Sequence, residues 1–223
     1  MLSRAAILAL ASVASASCST TGRAPTLHVE SAEVSVAIAT SSPGDSYPVP
    51  EECLDGDVLC FRYPLWFTAR TIEPVFGTPP GNGPFRVVLY THYDQPSADS
   101  PANPRLVLFL RSGGSIFAIE HMHAQAFRRK DGGYVVPLYD SSPIHWLPCE
   151  VHELRERIDS AQFESDISVP LDYLTGEEID GVFEIKAGTA VPLYGLEIEK
   201  IRNGLRAERR SIAGFACPPD AES

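Results

Sequence analysis

From Phe85 onward the chain is written as short apolar runs separated by glycine and proline, and this rhythm restricts the fold more than any other feature. Phe85-Arg86-Val87-Val88-Leu89-Tyr90-Thr91-His92-Tyr93 and Arg105-Leu106-Val107-Leu108-Phe109-Leu110-Arg111 are rich in residues that fit a pleated surface and read as strands. Ser112-Gly113-Gly114-Ser115 predicts a reversal into a strand from Ile116 to Ala124. Asp131-Gly132-Gly133 predicts another before Tyr134-Val135-Val136-Pro137-Leu138-Tyr139, so the segment reads as a meander.

The flanks carry the same signal. Leu27 to Ile38 partly alternates apolar and polar residues and is closed by Ser41-Ser42-Pro43-Gly44-Asp45. Phe61 to Ile72 is strand-like, with Pro64 placing its start at an edge because proline donates no ladder hydrogen bond. Val182 to Lys186 alternates as a strand does, and Leu196 to Ile201 followed by Arg202-Asn203-Gly204-Leu205 reads as a hairpin, although Ile198, Ile201 and Leu205 also fit a helical face. One helix is predicted over 150–161, where Val151, Leu154, Ile158 and Ala161 share a face and acid precedes base. The expected fold class is therefore all-β, mainly an antiparallel sandwich or a small OB-like barrel, with one short helix near 150–161. No internal repeat or low-complexity linker divides the chain, so 27–223 reads as one β-rich domain. The connection from Asp94 to Pro104 is long for a hairpin, and long loops in compact domains tend to be functional or disordered.

Ahead of this domain, Arg4 leads into an apolar run from Ala5 to Ala14 that is too short to span a bilayer, and 1–17 reads as an export signal. Two cleavage points compete, one after Ala16 and one before Cys18. The second is that of a bacterial lipoprotein, with Ser15 standing where such sequences usually carry Leu. Residues 18–26 are small and polar and suit a tether, so the expected location is the periplasmic side of the cell envelope, held to a membrane by lipid on Cys18. The alternative is a soluble secreted or periplasmic protein.

Cysteine parity supports the anchor. The chain has five cysteines; with Cys18 lipidated, Cys53, Cys60, Cys149 and Cys217 remain as an even set for two disulfides in an oxidising compartment. Asp55-Gly56 favours a turn that pairs Cys53 with Cys60, leaving Cys149 for Cys217. The longer bridge would contribute about 4 kcal/mol in the chain-entropy picture.

Charge narrows the partners. With 18 Lys+Arg against 29 Asp+Glu the formal charge is −11, and a surface of that sign repels phosphate backbones, which argues against nucleic acid. Removing 1–17 deletes only Arg4 among the charged residues, so the acidity belongs to the mature body. Such acidity also suits an inhibitor or immunity-type module that caps a basic enzyme through electrostatic steering.

Chemistry-bearing groups are sparse. His121 and His123 are two apart, and His92 and Asp94 have the same spacing on another predicted strand, so four ligands for zinc would converge if those strands pair. With an open coordination position that set would support a metal-dependent hydrolase. The zincin pattern fails at Glu156, and no nucleotide-binding glycine loop or nucleophile elbow is present. Tyr93, Tyr139 and Trp146 fall near predicted strand ends and supply amphipathic rings for a partner. The expected function is thus non-catalytic binding of an envelope protein or component, without a cofactor.

Overall fold

The computed structural model describes residues 25, 27–28, 31–42, 63–81, 83–91, 103–138, 147, 151, 153–171 and 181–207. Five strands, β1 (Glu33–Ser42), β2 (Tyr63–Phe76), β3 (Phe85–Thr91), β4 (Arg105–Ser112) and β5 (Ser115–Gln125), close into a barrel in the order β1-β2-β3-β5-β4. All pairs are antiparallel except β3 with β5. This is the arrangement of an OB-type barrel, one of the two architectures expected from the sequence, and closure removes the open edges a flat sheet would expose.

Local chemistry explains the joints. Gly113 and Gly114 take φ of 56° and 82°, the left-handed pair that a two-residue hairpin requires, and they turn β4 into β5. Pro64 pairs with Tyr90 of β3 at the end of β2 that runs past the last β1 partner among the described residues, Thr68 opposite Ser42, a position near the strand's end where a residue without an N–H is tolerated.

The barrel is covered on the outside as well as filled. Ala37, Ala39, Ala69, Val87, Leu89, Val107, Phe109 and Ala118 draw on all five strands and on nothing else, and they form the interior. Phe85 and Phe109 meet edge to face across it, 5.4 Å between ring centroids, although β5 separates their strands. The alternate residues Val36, Ile38, Val88, Leu106, Leu108, Leu110 and Phe117 point outward and are buried against a second layer. That layer contains β6 (Phe127–Arg128), β7 (Tyr134–Pro137), β8 (Glu156–Arg157) and β12 (Tyr194–Glu197), ordered β6-β7-β12-β8, and the helix α1 (Ile198–Ala207). A third sheet, β10 (Phe183–Lys186), β11 (Thr189–Pro192) and β9 (Val169–Pro170), contributes Phe183 and Val191 to its own buried faces, and Val191 joins Phe127, Val135, Ile158, Phe163 and Ile167.

Four expectations need correction. The helix expected over 150–161 is absent from 153–162: Val151 is helical, but a turn at Glu153 and Leu154, the strand β8 and a 3-10 turn at Ser160–Gln162 follow. Its apolar face is dispersed, with Val151 and Ile158 in different clusters and Leu154 43% exposed, because Glu156 and Arg157 pair with Gly195 and Tyr194 instead. The hairpin expected at 196–205 is helical from Ile198, since Ile198, Ile201 and Leu205 bury together on the barrel's outer face. The meander stops at β5, which closes the barrel by pairing in parallel with β3, while β7 joins the second sheet. Finally, the first strand begins at Glu33 rather than Leu27; His28 lies outside it, its backbone N–H donating to Ser112 Oγ at 3.2 Å.

Candidate functional site

Alternation along β2 puts Trp66, Thr68 and Arg70 on the outward face, in register with Val88, Arg86 and Thr40 on the neighbouring strands. Arg70 and Arg86 are exposed, and the Arg86 guanidinium carbon lies 4.3 Å from the centre of the Trp66 ring. A cation over an indole within about 6 Å is an attractive pairing, and it holds a long side chain in one place. Ile72, the extra residue of a bulge against β1, is 43% exposed next along the strand. Among the described residues no carboxylate pairs with Arg70. An aromatic ring, two guanidiniums, hydroxyls and an aliphatic side chain are thus presented on one wall of a rigid barrel. Aromatic residues and arginine are the types enriched where proteins bind one another.

A second group of charges sits where β12 passes into α1. Arg129 pairs with Glu197 and, at 3.2 Å, with Asp131; Lys200 Nζ lies 2.6 Å from Glu156 Oε2. Glu156 and Glu197 are also hydrogen-bonded through their carboxyls. The Lys200 hydrogen bond holds Glu156 below the usual carboxylate range, while burial and then the adjoining Glu156 push Glu197 above it. Each acid has a base within the group, so the arrangement ties β8, β12, the 129–131 turn and α1 together. Beside it, Arg202 of α1 donates to Glu199, to Glu73 of β2 and, at 3.1 Å, to the Pro74 carbonyl oxygen. Burial opposes its charge, but the two carboxylates more than offset this and raise its pKa.

Two further polar groups have defined roles. Asp166 Oδ1 accepts the Ser168 N–H and Oδ2 accepts the Ser168 hydroxyl, both at 2.9 Å, which lowers the Asp166 pKa and fixes the turn before β9. Arg105, at the start of β4 beside Ala39 and Gln125, is partly withdrawn from water, and that desolvation lowers its pKa.

The residues singled out by sequence are placed as follows. His121 and His123 belong to β5, where His123 stands opposite Val107 of β4. A five-residue step along β5, from Ala118 to His123, spans the two-residue step from Phe109 to Val107, so a bulge breaks the strict alternation along this strand. Phe117 and Ala124, of opposite parity, accordingly pack on the same cluster. His92, Asp94, Tyr93, Tyr139, Trp146, Cys18, Cys53, Cys60, Cys149 and Cys217 lie outside the described residues. Among the described residues no group of three or more His, Cys, Asp or Glu is placed to hold a metal ion, and no helix is long and apolar enough to cross a membrane.

Trp66, Arg70 and Arg86 were not among the candidates from sequence. The period of two in Trp66-Phe67-Thr68-Ala69-Arg70 carries that signal, an aromatic and a cation on the polar side of a strand. Arg128-Arg129-Lys130, a short basic run, contains an ion-pair node: Arg129 joins Glu197, and Lys130 Nζ donates to the Ala161 carbonyl oxygen at 2.8 Å. Comparison with protein-family models, with curated proteins and with solved structures returns no match to this chain.

Proposed function

We propose that the chain is a binding module of the bacterial cell envelope, exported, held to a membrane through lipid on Cys18, and acting without catalysis by presenting the outer β2–β3 face to a partner protein. The observation that carries this reading is the Arg86–Trp66 stack, with Arg70 exposed beside it on a closed barrel. A rigid wall loses little order when a partner settles on it, and a stacked arginine has already surrendered much of its rotamer freedom. OB-type barrels commonly use the face of strands 2 and 3 for ligands, which supports the location by fold analogy. The charge network near α1 supports a structural assignment instead, because its bases and acids are spent on one another.

The test is a pull-down from solubilised envelopes with tagged full-length chain, run beside Cys18→Ser, Trp66→Ala and Arg70→Gln, together with acyl labelling. Labelled Cys18 and a partner whose capture is lost in the Trp66 and Arg70 variants are the expected results. An unlabelled mature chain beginning at Ser17 would remove the anchor, and capture indifferent to both substitutions would remove the face.

A further inference from the structure

We propose that the outer edge of β8 takes an extended acidic segment of a partner protein as an added strand, with carboxylates two residues apart set opposite Arg155 and Arg157. This surface is separate from the β2–β3 face. β8 ends the sheet order β6-β7-β12-β8, and among the described residues no strand lies beyond it. The Ile158 N–H donates to the Leu193 carbonyl oxygen at 2.9 Å, which makes 158 and 193 a hydrogen-bonded pair of the antiparallel ladder with β12. Such pairs alternate, so Arg157, opposite Tyr194, turns its N–H and C=O away from β12, and Arg155 does so one period earlier. Edge groups turned outward in this way are a template for another extended chain.

The side chains favour an acidic occupant. Arg155 and Arg157 are exposed and project from one face, that of Tyr194. The Arg155 guanidinium carbon lies 5.6 Å from the centre of the Tyr194 ring, and Tyr194 itself packs on the buried cluster between barrel and second sheet, so this arginine is held in place with its planar donor edge outward. Among the described residues neither guanidinium has a carboxylate within ion-pair distance. Glu156, between them in sequence, belongs to the other face and is engaged by Lys200, while Asp159 Oδ1 accepts the Ala161 N–H at 2.9 Å. Residues opposite one another on paired strands have Cβ atoms about 4.5–5.5 Å apart, and alternate side chains along a strand repeat at about 7 Å. A carboxylate-x-carboxylate segment therefore meets both guanidiniums while its backbone pairs with the edge. A chain of formal charge −11 repels an acidic partner over most of its surface, which confines such a partner to a place where the sign is reversed.

Fluorescence anisotropy of a labelled peptide with alternating Glu and Val tests this on the full chain, beside the same peptide with Gln in place of Glu and two others methylated on the Glu or on the Val backbone nitrogens. The Glu peptide is expected to bind, and its dissociation constant to rise roughly tenfold or more in Arg155→Gln/Arg157→Gln, as loss of charge-assisted hydrogen bonds requires. Residues opposite the arginines turn their N–H groups toward β8, so methylation at Glu should abolish binding and methylation at Val should spare it. Arg111→Gln, exposed on β4, should leave binding unchanged. Overlapping urea unfolding curves for all variants separate lost binding from lost folding. Equal binding of the Gln peptide, undiminished binding by the double variant, or no binding of the Glu peptide would each overturn the proposal. Undiminished binding of the Glu-methylated peptide would leave a bare anion site and remove the added strand. A dimer in sedimentation that Arg155→Gln/Arg157→Gln dissociates would assign the edge to a second copy of this chain and remove the partner segment.

Discussion

Gly204 and Val151 approach so closely that a methyl group on Gly204 would stand 2.3 Å from Val151 Cγ2. Gly204 lies inside α1, and Val151 is buried in the cluster that joins α1 to the barrel. In an exposed helix, exchanging glycine for alanine gains about 1 kcal/mol, whereas forcing a methyl group into packed core costs about 1–3 kcal/mol. Gly204→Ala is therefore expected to lower stability by about 1 kcal/mol net. Val151→Ala in the same chain should recover part of that loss, measured as positive coupling in a urea double-mutant cycle. A more stable Gly204→Ala would show that the two segments do not touch.

At the end of β2, Gly77 has φ of 65°, and a Cβ there would fall 2.5 Å from the Val34 carbonyl oxygen. Strain and overlap act together, so Gly77→Ala should cost about 1–3 kcal/mol. Gly132, with φ of 104° but open space around it, isolates the conformational part: Gly132→Ala is expected to cost less. Paired thermal melts compare them, and equal losses would mean that the contact with Val34 contributes nothing.

The carboxyls of Glu156 and Glu197 respond to pH with opposite signs. Glu156, held low by Lys200, contributes stability that is complete above the ordinary carboxylate pKa and is lost as pH falls through its lowered value. Glu197, held high by burial and by Glu156, contributes stability that is complete below the ordinary value and is lost as pH rises through its raised one. Glu197→Gln removes the second contribution. Its stability relative to the natural chain should therefore rise from about pH 4 toward neutrality, the ordinary glutamate value being about 4.3. Urea midpoints across that range measure the difference, and a difference independent of pH would refute the upward shift of Glu197.

Arg202 joins α1 to β2 through Glu73, Glu199 and the Pro74 carbonyl, with its side chain only 15% exposed. Arg202→Met should destabilise by about 1–3 kcal/mol, more than an exposed ion pair would, because two carboxylates and a carbonyl lose one donor group. Arg202→Lys should restore only part of this, since an ammonium is a compact point charge without the planar fork by which the guanidinium reaches Glu73, Glu199 and the Pro74 carbonyl together. Full restoration by lysine, read from urea unfolding at low and high salt, would reduce the interaction to simple charge attraction.

Which parts of this structure were legible in sequence follows from how local each signal is. The five barrel strands were visible because alternation and flanking glycines act within a few residues, and the β4–β5 turn was visible because Gly113-Gly114 has few other uses. The Asn203-Gly204 pair shows the opposite case. It reads as a hairpin turn, but the glycine is there to admit Val151, a contact with a residue far away in sequence. The stripe Val151, Leu154, Ile158 and Ala161 likewise has helical spacing, yet Ile158 donates its N–H to the Leu193 carbonyl and β8 finds its partner in β12. Trp66, Arg70 and Arg86 could be placed on strands, but not against one another, until the β2–β3 register was known.

The sequence by itself determined the β class, the tight turns and the acidic balance, since these rest on backbone preference, side-chain alternation and charge, which need no distant partner. Tertiary structure decided the parallel closure of β3 on β5, the site of the helix, the bulge that ends strict alternation in β5, and the meeting of Arg86 with Trp66. Each of those depends on which apolar face is buried against which, and burial is a property of the whole assembled core rather than of any segment.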